Sequence, residues 1–434
     1  MKTSDPRALA IKSLQRIEKS GKYSNLEVDA AAEASGMTEV DRRLYSRLVY
    51  GALERKISLD AVAADFSRRP PEKLDPECRA AIRVGLYQIL YSDRIPDHAA
   101  VNATVGAVGE RYRGYVNGVL RSFLREKDGY ELALPEDETE NLSVRFSVSP
   151  DIAGVLIGSY GADRAAEILS SFSGEGAVCL RLNTLKNAAL PENARPADGP
   201  LSGIAAFADT VSPEVRRGIA AGNWFVQDAS SILCSEILGA LPGETVADIC
   251  AAPGGKSFSS ALRMKNEGEI NSFDLHENKL SLIKDGAEKL GITTIRVSRR
   301  DGRDPDPDLF GKCERVLCDA PCSGIGVIGK KPEIRYKKEE EFGRLPEIQR
   351  ELLDASASYA APGGVLVYST CTLNKKENEE VASSFAASRP DFEPYDFDIP
   401  GIGKSENGTA TLFPRGGDTP RDGFFIARFR RRNK

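Results

Sequence analysis

The sequence predicts a multidomain protein, with an all-α N-terminal bundle followed by a doubly wound α/β domain and a small α+β segment between them. Three observations support this prediction. At 434 residues the chain is too long for one ordinary core. Its first part shows apolar residues at helical spacing, whereas short β-rich apolar runs alternate with helical stretches in its last part. An acidic, turn-rich stretch separates the two patterns.

The helical bundle is predicted to span residues 1–126. Asp5 and Pro6 supply an N-cap followed by proline at the first helical position. A further helix is predicted to begin near Asp75 on the same grounds. The acidic stretch 127–142 is then predicted to be a linker, because it is rich in turn-forming residues.

Residues 143–222 are predicted to form the small α+β subdomain, with a helix near 150–172 and a strand within 177–186. Over residues 223–434, alternating strands and helices predict a parallel sheet with helices on both faces. The last two apolar runs are predicted to pair as a terminal hairpin. The strands are predicted at 245–250, 269–275, 294–299, 314–320 and 364–370, and the hairpin at 409–414 and 423–430.

The composition is that of a globular protein, and its net charge of −5 does not indicate a nucleic-acid ligand. Two local basic patches exist, residues 329–338 and the tail 427–434, and each is equally well explained as a solvated face. The chain has no apolar stretch of about 18 residues and no apolar signal core at its start. We therefore expect a cytoplasmic protein whose eight cysteines are free thiols.

The stretch DICAAPGGKS (248–257) lies where the first strand of the sheet should end and its first helix begin. Ligands of doubly wound sheets bind beyond the carboxyl ends of the strands, and glycines there let the backbone approach a ligand. The stretch matches neither the dinucleotide fingerprint nor the phosphate loop, and Pro253 removes a backbone donor. A dinucleotide or nucleoside triphosphate is therefore disfavoured, and a tight turn without a ligand is the alternative.

Three successive predicted strands end in, or are followed by, an acid: Asp274, Asp301 and Asp319. A single acid in such a position is more often a turn former or a helix cap. Three at one edge favour a ligand, with Asp274 suited to ribose hydroxyls and Asp301 to an adenine amino group. A nucleoside without phosphates, held by carboxylates, indicates S-adenosylmethionine, whose sulfonium is cationic.

Two cysteines follow neighbouring strands, Cys322 after the fourth and Cys371 after the fifth, so both thiols should face the crevice of the cofactor. A thiolate is a strong nucleophile. Methylation of carbon 5 of a pyrimidine requires one, because attack on C6 activates C5. A carboxyl group such as Asp319 could hydrogen-bond the edge of the base and stabilise the adduct. Either thiol is a candidate nucleophile on these grounds.

Other roles for the cysteines have less support. Free cysteines are usually small buried apolar residues, which we expect of Cys250, Cys313 and Cys318. No zinc site is expected, because the only histidines are His98 and His276 and no second pair of cysteines matches the pair Cys318 and Cys322. A thiol protease or redox enzyme would need a suitably placed histidine or a Cys-x-x-Cys pair, which the sequence lacks.

Several motifs resemble the signature blocks of RNA (cytosine-5) methyltransferases of the Nop/Sun type. The three longest are CAAPGGKS (250–257), DAPCSGIGVIGKKPEIRY (319–336) and GGVLVYSTCTLNKKENEE (363–380), and two shorter ones are NWFVQDASS (223–231) and DGFFIARF (422–429). The helical N-terminus resembles the NusB-like RNA-binding domain, chiefly over 74–105 and 115–125. The two resemblances together cover nearly the whole chain.

The resemblance implies a NusB-like bundle followed by a Rossmann-like S-adenosylmethionine-dependent methyltransferase domain, with a small RNA-binding subdomain. It implies that Cys371 is the nucleophile and that Cys322 assists release of the methylated RNA. Asp319 would contact the edge of the base, and Lys256 would lie near it. The cofactor would be held by Cys250, Ala251, Ala252, Pro253, Gly254, Gly255, Lys256, Asp274, Asp301 and Asp319.

The implied activity is methylation of C5 of one cytosine in 16S ribosomal RNA through a covalent Cys–C6 adduct. The same chemistry on transfer RNA or another ribosomal site is the alternative. DNA cytosine methylation, in which the Pro-Cys thiol attacks, is disfavoured by the presence of Cys371. The intact motifs also disfavour a non-catalytic RNA-binding or antitermination protein. We expect a monomer, with ribosomal RNA as partner, no metal and no membrane.

The sequence departs from the family pattern at a few positions. Gly329 stands where a basic residue is common, Lys331 where histidine is common, and Ser257 where threonine is more frequent. Gly329 and Lys331 belong to a predicted RNA-contacting segment, so they bear on the choice of target and not on the chemistry.

Overall fold

The computed structural model describes residues 5–20, 24–172, 176–186, 188–399 and 402–433. Its contacts divide the chain into two compact units. The first unit comprises Met1–Ala166 and Lys330–Lys338, and the second comprises Glu167–Gly329 and Glu339–Lys434. No helix within the described ranges is long and apolar enough to cross a membrane.

The first unit is helical, as predicted, and its core is formed by the apolar faces of its helices. The predicted helix starts are present, because the carboxylates of Asp5 and Asp75 accept hydrogen bonds from the backbone N–H groups of Arg7 and Glu77. The helices are α1 (Pro6–Ser20), α2 (Ser24–Ala34), α3 (Glu39–Glu54), α4 (Lys56–Phe66), α5 (Pro76–Tyr91), α6 (Asp97–Gly106), α7 (Glu110–Glu126), α8 (Glu138–Phe146) and α9 (Pro150–Tyr160). Helix α10 (Ala162–Ser171) begins in the first unit and ends in the second.

The helical unit extends past the predicted linker. Helix α8 begins at Glu138, where Asp137 caps it by accepting a hydrogen bond from the N–H of Glu140. Acidic residues in a first turn stabilise a helix through its dipole, so this acidic stretch is partly helical. The helix predicted near 150–172 is two helices, because Gly161 adopts φ +80° between them.

The basic segment 330–338 belongs to the first unit. It forms a 3-10 turn (Pro332–Tyr336) that contacts α3. The Tyr336 hydroxyl donates to the Leu53 carbonyl and accepts from the N–H of Lys56. Arg335 is buried, and its Nη1 donates to the Phe146 carbonyl at 3.0 Å. This segment is therefore an integral part of the helical unit.

The second unit contains a small antiparallel sheet with strand order β2-β3-β1-β4. Its outer face packs on helix α11 (Pro213–Ala220) around Trp224 and Val215. Strand β4 lies beyond residue 222, so the sheet extends past the predicted end of the α+β subdomain. The strands are β1 (Val178–Leu182), β2 (Ala194–Pro196), β3 (Ala205–Ala208) and β4 (Trp224–Val226).

The rest of the second unit is an α/β domain built on a large sheet. Its helices are α12 (Ala229–Leu238), α13 (Gly255–Arg263), α14 (Glu277–Leu290), α15 (Leu345–Ala357) and α16 (Glu379–Ser388). Its strands are β5 (Thr245–Asp248), β6 (Glu269–Asp274), β7 (Ile295–Arg299), β8 (Cys313–Asp319), β9 (Ala360–Thr370), β10 (Phe392–Pro394), β13 (Thr409–Leu412) and β14 (Phe424–Arg431), with the short pair β11 (Asp398–Ile399) and β12 (Gly403–Lys404) apart from it.

Strands β5 to β9 pair in parallel, and the order of the sheet is β10-β14-β9-β8-β5-β6-β7. Strand β14 joins β9 in antiparallel orientation and pairs with β13, which confirms the predicted terminal hairpin. Successive residues of a strand contribute to different apolar clusters, for example Leu317 to one and Cys318 to the other. This alternation means that both faces of the sheet are buried.

Candidate active site

The carboxyl ends of the parallel strands bring the predicted site residues to one edge of the sheet. Asp274 and Asp319 are the last residues of β6 and β8, and Cys371 directly follows β9. The register of β8 and β9 pairs Asp319 with Ser369, so the loops that follow both strands begin side by side. In sheets of this kind, this edge is where ligands bind.

The glycine loop between β5 and α13 is held against the neighbouring strands. The N–H of Ala251 donates to the Phe273 carbonyl at 2.8 Å. Gly254 adopts φ +110°, and a Cβ there would lie 2.4 Å from the Phe258 ring, so only glycine fits. Cys250 is half-buried, and burial raises the pKa of its thiol.

Two of the acidic residues predicted to bind the cofactor, Asp274 and Asp301, have different surroundings. Asp274 is buried beside the glycine loop, where its Oδ2 accepts the N–H of Ala252 at 3.3 Å and its Oδ1 that of His276 at 3.0 Å. Asp301 is partly exposed, and the hydrogen bonds from the Arg303 guanidinium, at 3.0 and 2.7 Å, lower the pKa of its carboxyl. Asp301 is therefore an ion-paired residue of the turn after β7.

Lys256 and Asp319 form an ion pair at this edge. Lys256 Nζ donates to Asp319 Oδ2 at 2.6 Å, and the Ser369 hydroxyl donates to Asp319 Oδ1 at 2.7 Å. Burial works against the charge of Lys256, but the Asp319 carboxylate outweighs it, so the pKa of Lys256 lies above its ordinary value. The ammonium also lies 5.1 Å from the centre of the Phe424 ring. These bonds thus hold the side chains of Lys256 and Asp319 in one orientation.

The two candidate thiols are in contact. The Sγ atoms of Cys322 and Cys371 lie 3.3 Å apart, and both side chains are half-buried. The hydrogen bond to Cys371, together with burial, raises the pKa of the Cys322 thiol. Cys313 and Cys318 are fully buried in the core, as predicted, and burial raises the pKa of each to about 12. The same prediction is wrong for Cys250, which is only half-buried.

Sequence reasoning did not single out three polar residues that line this edge. Asp248 ends β5 and is buried, and burial raises the pKa of its carboxyl to about 7, against the hydrogen bond that Ser257 donates. Ser369 orients Asp319, and Glu377 is fully buried between the loops that carry the thiols. Asp248 could have been found from the sequence, because it is an acid at the end of an apolar strand. Glu377 could not be found in this way, because it lies in a run of charged residues, and such runs are usually exposed to solvent.

Only some side chains of the two basic patches are exposed to solvent. Within 330–338, Lys331 is exposed, whereas Arg335 is buried and cannot serve as an RNA contact. In the tail, Arg430 pairs with Glu393 at 2.6 Å, and Arg428 lies 4.1 Å from the centre of the Tyr395 ring. The tail is thus mostly the strand β14.

Comparison with known proteins identifies the family. A family model described as 16S rRNA methyltransferase RsmB/F matches residues 235–430, and a NusB family model matches residues 4–125. A Bacillus subtilis protein described as probable ribosomal RNA small subunit methyltransferase B is 36% identical over 407 residues, 91% of each chain. This chain belongs to the RsmB/F family. Ribosomal RNA small subunit methyltransferase B of Thermus thermophilus is 31% identical and spans 100% of this chain and 99% of that protein.

Solved structures agree with this assignment. The crystal structure of PH0851 is 26% identical and superposes with a TM-score of 0.79 over 99% of both chains. That of NSun6 from Pyrococcus horikoshii with SFG, at 20% identity and a TM-score of 0.53 over 65% of this chain, shares the fold. The predicted helical N-terminus, α/β methyltransferase domain and RNA methyltransferase class are confirmed. The protein is an S-adenosylmethionine-dependent rRNA methyltransferase of this family.

Proposed function

We propose that this protein methylates C5 of one cytosine in 16S ribosomal RNA, with Cys371 as the nucleophile and Cys322 as the residue that assists release. The observation that carries the proposal is the contact between the two thiols, 3.3 Å apart, at the edge that also holds Lys256 and Asp319. Two thiols in contact can both reach one base, as attack at C6 and proton removal at C5 require.

The residues at this edge fit S-adenosylmethionine. The glycine loop, residues 250–256, leaves its backbone beside the carboxylate of Asp274, and Asp319 adds a second carboxylate to the same edge. Carboxylates suit a ligand with ribose hydroxyls and a sulfonium charge, and no phosphate group needs to be neutralised. When bound, this cofactor supplies an electrophilic methyl group. Asp301 would contribute only by sharing an oxygen that Arg303 already occupies.

Cys371 would begin the reaction as a thiolate. Its sulfur forms a bond to C6 of the cytosine, and the electron pair of the C5–C6 double bond moves to C5, which can then accept a methyl group. Cys322 would then act as the base that takes the C5 proton, so that the electron pair of the C5–H bond restores the double bond and the Cys371 sulfur leaves C6 as a thiolate. Lys256 favours the thiolate of Cys371, because its ammonium group attracts the negative sulfur. The same attraction is one of the causes that raise the pKa of Lys256.

Asp319 would orient the base. Lys256 and Ser369 each occupy one of its oxygens, so the carboxylate has a fixed direction and keeps lone pairs for the amino group of cytosine. The target base has to leave its helix to reach these groups, because C5 and C6 cannot be attacked within a stack. Residues 4–125, which match the NusB family model, would bind the RNA.

Bisulfite sequencing of RNA from a strain that lacks the gene tests the proposal. We expect one cytosine of 16S ribosomal RNA to lose its protection and to regain it with the wild-type gene but not with Cys371→Ala. A lost site in transfer RNA or in another ribosomal RNA would favour the alternative substrate. No lost site, or full rescue by Cys371→Ala, would refute the proposed chemistry.

A further inference from the structure

Glu377 is a fully buried carboxylate that accepts hydrogen bonds from three neutral donors. Its Oε2 accepts the backbone N–H of Ser323 at 2.9 Å and the side-chain amide of Gln349 at 2.9 Å. Its Oε1 accepts the side-chain amide of Asn374 at 3.0 Å. A buried carboxylate is costly unless its lone pairs are used, and here both oxygens are.

These bonds hold the Cys322 loop from both sides. Ser323 follows Cys322 directly, and its N–H is bound by Glu377. Pro321 precedes Cys322, and its carbonyl accepts a second hydrogen bond from the same Gln349 amide at 2.9 Å. The backbone on either side of the thiol is therefore fixed by Glu377 and its partner Gln349.

The same carboxylate fixes the loop that carries Cys371. Asn374 lies three residues after Cys371, and Glu377 itself is anchored because its carbonyl accepts the Tyr368 hydroxyl at 2.6 Å. The Ser323 and Thr372 hydroxyls add a direct bond between the two loops at 2.6 Å. Glu377 is thus the group that ties both thiol loops together.

We propose that Glu377 is a positioning residue that sets the spacing of the two thiols and through it both the attack and the release step. The proposal rests on the roles of Cys322 and Cys371 in the proposed function. Charge-assisted hydrogen bonds donated to a buried carboxylate can hold a site within the narrow tolerance that chemistry requires.

Only a carboxylate can satisfy this arrangement. It is acceptor-only at both oxygens, whereas the amide of Glu377→Gln would place an NH₂ donor against Asn374, or against Ser323 and Gln349. The buried donors left without an acceptor would shift the loops to find one. The substitution keeps the volume of the side chain, so it tests the hydrogen bonds and not the packing.

The experiment compares Glu377→Gln with Glu380→Gln, an exposed glutamate of the same segment. We expect kcat for methyl transfer to fall about 100-fold in Glu377→Gln, as for a displacement of about 1 Å, with the Kd of S-adenosylmethionine nearly unchanged. The second readout needs no RNA. Diamide takes the two thiol hydrogens and leaves a Cys322–Cys371 disulfide, which peptide mapping quantifies, and this reaction should slow in Glu377→Gln only.

Thr372 supplies a milder test should Glu377→Gln fold poorly. Thr372→Val removes the hydroxyl bond between the loops at constant volume, and Thr372→Ser restores it. We expect slower methyl transfer and slower disulfide formation in the valine variant and recovery in the serine variant. Wild-type rates of both reactions in Glu377→Gln, or in Thr372→Val, would overturn the inference. Activity retained by Cys371→Ala would instead overturn the proposed function, while the disulfide comparison would still report on Glu377.

Discussion

Cys322 and Cys371 are 49 positions apart in the chain, yet their Sγ atoms lie 3.3 Å from each other. The contact follows from the parallel pairing of β8 and β9, which places Asp319 opposite Ser369 and makes both following loops leave from the same edge. In the proposed function, a base that enters this edge would meet both thiols at once. That proposal divides the two steps of the chemistry between two sulfurs instead of assigning both steps to one.

The first prediction concerns the division of labour between the thiols. Cys322→Ala should attack the RNA normally but fail to release it, so that a protein–RNA adduct accumulates and turnover stops after about one cycle. The adduct should survive a denaturing gel, where labelled RNA would run with the protein.

The control for this experiment is the double variant Cys322→Ala/Cys371→Ala, which should form no adduct because the attacking sulfur is absent. An adduct of undiminished yield in the double variant would mean that a residue other than Cys371 attacks. Release at the wild-type rate in Cys322→Ala would remove Cys322 from the second step.

The second prediction separates the charge of Asp319 from its orientation. Asp319→Asn removes the partner of the Lys256 ammonium, so methyl transfer in a single turnover should slow by about 100-fold or more. Ser369→Ala keeps the charge and removes only one orienting hydrogen bond, so its effect should be about tenfold. Equal effects of the two substitutions would mean that orientation alone matters.

The positions of the site residues follow from local pattern and one rule of topology. Apolar runs of strand length locate β8 and β9, and parallel strands place whatever follows them at a common edge, so Cys322, Cys371 and Asp319 could be assigned from sequence. The terminal hairpin of β13 and β14 also came from its pattern, since two apolar runs separated by turn residues predict a hairpin. The antiparallel pairing of β14 with β9 did not follow from that pattern.

The remaining features depend on contacts between distant parts of the chain. Arg335 lies in a run of basic residues that looks like a solvated face, yet it is buried and donates a hydrogen bond to the Phe146 carbonyl, 189 positions away. Glu377 likewise lies in a charge run, and its burial depends on Gln349 and Ser323. The pattern of charges in a sequence shows which side chains are charged, but it does not show which distant residues will bury them.

The third prediction is a pH dependence of stability that originates at Asp248. Burial raises the pKa of this carboxyl from 3.8 to about 7 in the folded protein. Between these values the folded protein retains a proton that the unfolded chain has lost, so this contribution to stability falls as the pH rises through the window and is constant above it.

Asp248→Asn has no such proton, and its amide oxygen can still accept the hydrogen bond from Ser257. The stability of the wild type relative to this variant should therefore fall by about 2–3 kcal/mol between about pH 5 and about pH 8. Thermal or urea unfolding of both proteins at the two pH values measures the difference. Parallel curves for wild type and variant would show that Asp248 has an ordinary carboxyl in the fold.

The last prediction separates structure from RNA binding in the basic segment 330–338. Arg335 is buried in the first unit, and burial lowers the pKa of its guanidinium. Arg335→Ala leaves a cavity and removes the hydrogen bond to the Phe146 carbonyl, so it should destabilise the protein by about 2–4 kcal/mol. Lys331 is exposed, so Lys331→Ala should change the stability by less than about 0.5 kcal/mol.

RNA binding should be affected in the opposite order, more by Lys331→Ala than by Arg335→Ala. A lysine that neutralises a phosphate releases a counterion, so Lys331→Ala should weaken RNA binding and lower the slope of log K against log salt by about 1. Arg335→Ala, measured well below its melting temperature, should leave that slope unchanged, because its guanidinium faces protein and not solvent. A reduced slope in Arg335→Ala together with an unchanged melting temperature would contradict the burial of Arg335 and return it to the RNA-binding surface.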